Sequence, residues 1–317
     1  MMSIDLYFIH DVLIDYGIFL MTALGCYFTM MSGQVSLGHG ALAGLGAYAT
    51  AILTVKMGLP VWLAIPVSGV AGALGGWFVA YAISLRLKGI YLAIGTFAFA
   101  EALVVIWTNL DYIGGAVGFM RIPSASSFAL VWIVVGLTSF FLWRFELSYL
   151  GRAFRAVFDD EHTAAAMGVD VKKVKVMAWV IGGTITAIGG ALFAHSITIA
   201  RPNNFEFHRS VLILLAPSIG GCFTFWGSYI GAAVIVIGPW LLNWILSIGD
   251  FAGVPDISDP VNKSILYALL YIFITIWRPD GVISRHGIGR PTLLRMLAKR
   301  HDPAARRNRG TGSARGP

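Results

Sequence analysis

Between Gly151 and Lys175 the chain reads GRAFRAVFDDEHTAAAMGVDVKKVK. This window gathers nine ionisable side chains: Arg152, Arg155, Asp159, Asp160, Glu161, Asp170, Lys172, Lys173 and Lys175. Such residues suit contact with water or a soluble partner better than bond-making. Asp159 or Asp160 stands where a side-chain oxygen caps a helix start, and Glu161 suits the positive end of the helix dipole. Ala164, Ala165 and Ala166 favour helix, and Gly168 suits the residue just past its end. A helix from Glu161 to Met167 would be about 10 Å long. Its small Ala164/Ala165 face can approach another protein closely. A solvated loop whose charges only fix topology accounts for the same residues, and the window alone leaves both readings open.

A second polar set lies within apolar sequence. Glu101 falls near the middle of an apolar run. An ionised carboxylate there must face the interior of a bundle, find a partner or be protonated. Gly95, Ala98 and Ala102 lie on nearly the same helical face. Gln34 and His39 are candidate partners for Glu101. Together with Ser36 and Thr96 they make up a set that either lines a solute path or locks helices together. One acid and one His are fewer than a proton relay needs, yet an ion-gradient-driven transporter or channel using Glu101 is the alternative reading.

Enzyme motifs are missing. No Gly-Lys dipeptide occurs, so the loop Gly-x-x-x-x-Gly-Lys-(Ser/Thr) that cradles phosphates is absent. No HExxH, paired-Cys motif or nucleophile elbow is found, and neither catalytic nor metal-binding residues are expected. Cys26 and Cys222 read as buried small apolar side chains, and His195 and Trp226 as anchors at span ends.

These residues must be held by membrane helices. The 317-residue chain is 57% hydrophobic and 12% charged, with a mean hydropathy of +0.76, whereas soluble domains carry about 25% charged residues. Crossing the hydrocarbon takes about 20 apolar residues as helix. Runs near 13–32, 35–55, 61–84, 90–109, 128–146, 174–195, 207–222, 227–247 and 263–278 meet or approach this. The expected fold is therefore an all-α polytopic membrane protein of about nine (8–10) transmembrane helices, the seventh and ninth short. Lys56 is the first basic residue, so no cleaved signal peptide is expected. Arg86 and Lys88, the 144–175 region and the C-terminal tail hold the basic clusters, which places the N-terminus outside and the C-terminus in the cytoplasm. Residues 1–282 form the membrane domain, with the charged window at about 151–175 on its cytoplasmic side. Residues 283–317 form a basic cytoplasmic tail with a disordered end, suited to anionic lipid and not to nucleic acid. Glycines four apart, at Gly40/Gly44, Gly72/Gly76 and Gly227/Gly231, point to close helix packing.

Four stretches carry a family resemblance: GQVSLGHGALAGLGAYATAIL, GIYLAIGTFAFAE, the charged window followed by VMAWVIGGTITAIGGALFAH, and SIGGCFTFWGSYIGAAV. Over about residues 15–280 the sequence resembles the membrane subunits of bacterial branched-chain amino-acid ABC importers, whose second span opens with Gly-Gln-x-Ser-Leu-Gly-His. The family's coupling segment, Glu-x-x-Ala-Ala-x-x-Gly, corresponds here to Glu161, Ala164, Ala165 and Gly168. The resemblance implies a permease in the bacterial inner membrane. It also implies two separate ATPase subunits that bind ATP and Mg, a second homologous permease in a heterodimer, and an extracytoplasmic solute-binding protein. No cofactor is expected on this chain. The external loop departs from the family pattern Gly-Gly-(Thr/Asn)-(Asp/Asn)-Gly, reading Gly114-Gly115-Ala116-Val117-Gly118. Close relatives of the family handle urea, short amides and aromatic acids.

Overall fold

The computed structural model describes residues 6–239, together with 241 and 283. The ninth apolar run (263–278), the end of the eighth and all of the tail but residue 283 lie outside the described residues. Those described form helices joined by short turns, with one isolated antiparallel bridge, Phe119 to Ala200, and no strand among them.

The helices are α1 (Leu6–Met30), α2 (His39–Ala51), α3 (Val61–Val79), α4 (Ile90–Asn109), α5 (Phe128–Leu147), α6 (Tyr149–Asp159), α7 (Glu161–Ala166), α8 (Val171–Ile197), α9 (Phe207–Gly220) and α10 (Phe225–Val236). Wider π-helical turns, Ile52–Lys56 and Ala80–Ser84, extend α2 and α3. Among the described residues, five segments are long and apolar enough to cross a membrane: Ile9–Met30, Val61–Ser84, Ile90–Asn109, Phe128–Leu147 and Val171–Ile197.

Helices α1 and α8 form the interior, and α8 packs against α1, α2 and α3. Glycine allows this. A methyl group at Gly190 would overlap the Ala43 carbonyl, and one at Gly72 the Gly183 carbonyl. Helices without a hydrophobic drive between them in lipid associate through such backbone approach. Outer faces are as apolar as the core: Trp62, Val70 and Leu74 on α3, Ile94 and Val105 on α4, and Ile133 and Leu137 on α5 are exposed. A surface of that extent does not stay monomeric in water; hydrocarbon is its natural solvent.

Two expectations need correction. The second apolar run does not start as helix: residues 31–38 form a turn and extended chain before α2. The charged window is not one loop with one short helix, since a second helix, α6, fills its first part.

Candidate functional site

The charged window folds into a corner at one end of the bundle. Ser148 ends α5 and caps α6, its hydroxyl accepting from Gly151 N at 3.1 Å. Helix α6 buries Gly151, Phe154 and Val157, with Phe154 against the rings of Phe28 and Phe145, and leaves Arg152 and Arg155 exposed. Asp159 is its last residue, so the cap of α7 is Asp160 alone. Asp160 Oδ1 accepts from His162 N at 2.8 Å and Thr163 N at 3.3 Å, and Oδ2 from the Thr163 hydroxyl at 2.9 Å. The Thr163 hydroxyl and the two backbone N–H groups hold the Asp160 carboxyl below its usual value of 3.8. After α7, Gly168 takes φ +85°. This left-handed turn lets Gly168 N reach Ala165 O at 3.0 Å and Val169 N reach Ala164 O at 3.0 Å, closing the helix end.

Glu161 does more than sit at a dipole end. Its Oε1 meets Lys175 Nζ of α8 at 2.5 Å, and its Oε2 meets Lys88 Nζ, just before α4, at 3.0 Å. Partial burial opposes ionisation, but the two ammonium groups outweigh it and lower the carboxyl below its usual 4.5. The corner is thus tied both to α8 and to the turn that precedes α4. The Ala164/Ala165 face also needs correction: Ala164 is buried against the bundle, whereas His162, Ala165, Ala166 and Met167 face outward.

A second carboxylate organises the same end. Glu146 Oε1 accepts from Tyr27 Oη at 2.5 Å and from Phe225 N at 2.9 Å, and Oε2 pairs with Arg155 Nη2 at 3.3 Å. Helices α1, α5, α6 and α10 meet there. Sequence reasoning missed Glu146, Lys88 and Tyr27. Glu146 closes the apolar run 128–146 and reads as a boundary residue; its partners are set by tertiary structure.

Residues 31–38 bring Gln34, Ser36, His39 and Thr96 together. Gln34 Oε1 accepts from Trp179 Nε1 at 2.9 Å and from the Ser84 hydroxyl, while Nε2 donates to Ser32 Oγ at 2.7 Å and Lys175 O at 3.5 Å. Ser36 Oγ accepts from Gly38 N at 3.0 Å, and Thr96 Oγ1 from Leu37 N at 3.1 Å. The His39 ring stacks on Trp179 at 5.5 Å, and its Nε2 contacts Thr29 Oγ1 at 3.1 Å. All four side chains are buried. Side chains here supply the hydrogen bonds that the non-helical backbone lacks, as backbone in lipid requires. Lys175 joins this cluster to the corner through its carbonyl on Gln34 and its ammonium on Glu161.

Glu101 belongs to neither cluster, and Gln34 and His39 are not its partners. Its Oε1 accepts from Phe207 N at 3.0 Å, satisfying an N–H at the start of α9 that no side chain of the N-cap residue Glu206 reaches. At the opposite end of the bundle, Lys56 Nζ donates to Tyr112 O at 2.6 Å. There the loop holding Gly114 to Gly118 is pinned by the Phe119–Ala200 bridge. His195 is no interface anchor: it is buried, with Nδ1 on Pro123 O at 2.7 Å and Nε2 on Thr50 Oγ1 at 3.0 Å.

The profile of the family described as "Branched-chain amino acid transport system / permease component" matches residues 8–275. The high-affinity branched-chain amino acid transport system permease protein LivM of Escherichia coli (strain K12) is 25% identical over 288 residues. That alignment takes in 80% of this chain but 64% of LivM, so the chain spans just under two thirds of that relative. The autoinducer 2 import system permease protein LsrC of Escherichia coli O9:H4 (strain HS) is 25% identical over 260 residues, 80% of this chain and 75% of LsrC. A solved structure titled "PsaBC from Streptococcus pneumoniae in complex with Fab" aligns at TM-score 0.47 and 15% identity over 87% of this chain and 94% of that one, too loosely to carry an argument.

Proposed function

Because the chain belongs to the family of permease components of branched-chain amino-acid transport systems, we propose that it forms the translocation pathway of an ATP-driven importer in a bacterial inner membrane. The observation that carries this reading is the α6–α7 corner. A six-residue helix is capped at both ends, held by Glu161 to Lys88 and Lys175, and turned so that His162, Ala165 and Met167 point away from the bundle. A merely solvated loop needs none of that construction, whereas a docking surface for a soluble ATPase is served by a short helix fixed in place with small and apolar side chains outward.

In this reading the corner is cytoplasmic. Arg86, Lys88, Arg144, Arg152, Arg155, Lys172, Lys173 and Lys175 gather on its side, as the charge rule expects of the cytoplasmic face. The N-terminus then lies outside, nine spans bring residues 283–317 into the cytoplasm, and that basic tail rests on anionic lipid. ATP and Mg bind two separate ATPase subunits. A second, homologous permease completes the pathway, and an extracytoplasmic binding protein delivers a branched-chain amino acid or a related small solute. Gln34, Ser36, His39 and Thr96 act as a lock that holds the broken start of α2 beside the corner, and Glu101 anchors α9. Glu101 is read here as a helix cap, with its Oε1 accepting from Phe207 N, and the gradient-driven alternative using Glu101 is separated from ATP-driven import by the uptake experiment.

Uptake into membrane vesicles holding the assembled importer tests the proposal. It should require internal ATP and persist after the proton and sodium gradients are collapsed. Uptake that stops on gradient collapse at constant ATP would overturn it.

A further inference from the structure

Where α5 meets the corner, its outer face changes from apolar side chains to arginine. Ile133, Leu137 and Phe140 follow at four- and three-residue spacing and are all exposed, so they share one face of the helix. The next position on that face is Arg144, in the last turn of α5, and the one after it is Leu147, also exposed. The 20 residues of α5 make a helix about 30 Å long, enough to cross the hydrocarbon. Arg144 therefore stands where acyl chains give way to headgroups. Trp143 and Tyr149 are exposed beside it, and amphipathic rings gather at that level.

Helix α6 brings a second arginine to the same place. Arg152 Nη1 donates to Leu147 O at 3.3 Å, and the guanidinium lies 5.8 Å from the centre of the Tyr149 ring, within cation–π range. Leu147 is one turn beyond Arg144 on the same face, so both guanidinium groups can reach the space off the end of α5. Acids are kept out of it. Glu146 is turned inward to Tyr27, Phe225 N and Arg155, and Asp159 lies two turns beyond Arg152, about 10 Å along α6. Among the described residues no carboxylate pairs with Arg144 or Arg152. A guanidinium carries five N–H donors in a planar fork that fits phosphate oxygens, and the bond to Leu147 O occupies only one of them.

We infer that the edge where α5 passes into α6 is a binding site for an anionic phospholipid. The phosphate sits on Arg144 and Arg152, the glycerol beside Trp143 and Tyr149, and one acyl chain along Phe140, Leu137 and Ile133. A zwitterionic lipid brings a cation that the two arginines repel, and a soluble phosphate lacks the chain that the apolar face accepts. The site depends on the membrane location of the chain and not on what it transports. It is tested on the particle purified with its partner subunits and stripped of lipid. Phosphatidylglycerol, phosphatidylcholine of identical chains and glycerol 3-phosphate are titrated in, and the tightest bound molecule is followed by native mass spectrometry. Phosphatidylglycerol should be held about tenfold or more tightly than phosphatidylcholine, and glycerol 3-phosphate should not be retained. Arg144→Gln and Arg152→Gln should each weaken phosphatidylglycerol by about 10- to 100-fold, the loss of a hydrogen bond between charged groups, and leave phosphatidylcholine unchanged. Arg144→Lys and Arg152→Lys keep the charge without the fork and should fall between the wild type and the glutamine variants. Arg121→Gln, which removes an exposed arginine at the opposite end of the bundle, should change neither lipid. Equal retention of the two lipids, as when a partner subunit covers this edge, would overturn the site. So would an equal loss from Arg121→Gln, or glycerol 3-phosphate held as tightly as the lipid.

Discussion

Replacing Glu161 by Gln removes one negative charge from between two ammonium groups and changes almost nothing else in shape. The two pairs are unequal. Lys88 is 67% exposed, and an exposed pair is worth about 0–1 kcal/mol. Lys175 is 7% exposed and sits 2.5 Å from the carboxylate, so the substitution leaves its ammonium behind without a counter-charge. Orphaning one partner of a fully buried pair costs about 3–5 kcal/mol. Glu161 is itself 31% exposed, so water recovers part of that, and the loss of a hydrogen bond to a charged group, about 1.5–3 kcal/mol, is the better guide. Taking about 2 kcal/mol, the detached state of α7 should grow about 30-fold. Hydrogen–deuterium exchange at the amides of α7 in nanodiscs reads this directly, as a protection loss of that size. The double variant Glu161→Gln with Lys175→Met should recover to within about threefold, because it leaves no buried charge unpaired. Unchanged protection in the single variant, or a double variant as loose as the single, would refute the electrostatic tie.

Ala165→Trp should leave membrane insertion intact and weaken ATPase association by roughly 5- to 150-fold, since overpacking a fitted contact costs about 1–3 kcal/mol; co-purification measures it. Ala164→Trp should instead lower the stability of the corner itself, because Ala164 is buried, and exchange at α7 separates the two effects. Glu101→Gln keeps an acceptor for Phe207 N and should transport near normally, whereas Glu101→Ala removes that acceptor at the start of α9 and should cost about 0.5–2 kcal/mol, as the loss of a helix-start cap does, seen as a lower thermal midpoint. For pH, Asp160 and Glu161 both have lowered values in the fold. Their contribution is present above the ordinary carboxylate range and is lost as pH falls through the lowered values. A spin label at Met167 should report constant mobility between about pH 8 and about pH 5 and a rise only below the ordinary carboxylate values near about 4; a transition near neutrality would contradict the assignment.

Hydropathy located the peripheral helices well, because a lipid-exposed helix is defined by its own composition. The runs 61–84 and 90–109 coincide with Val61–Ser84 and Ile90–Asn109, and 128–146 falls one residue short of Leu147. It failed at residues 31–38, where Val35 and Leu37 raise the average over a segment that is not helical. What holds that segment, the bonds from Trp179 and Ser84 to Gln34, comes from residues far along the chain. Helix α6 was legible and overlooked: Ser148 caps it, and Leu150, Phe154 and Val157 repeat at helical spacing. Within α7 the Asp160 cap and the left-handed Gly168 are local features, open to sequence reasoning. The inward turn of Ala164 and the pairing of Glu161 with Lys88 depend on how α7 lies on the bundle.

The permease proposal stands or falls with the outward face of α7 receiving an ATPase subunit. A photo-crosslinking residue placed at Ala165 in the assembled importer, with one at the outward-facing Ile133 of α5 for comparison, puts that contact to the test. The expected result is a crosslinked ATPase band from position 165 and none from position 133. Position 165 yielding no ATPase adduct, while the importer is assembled and active, would contradict it.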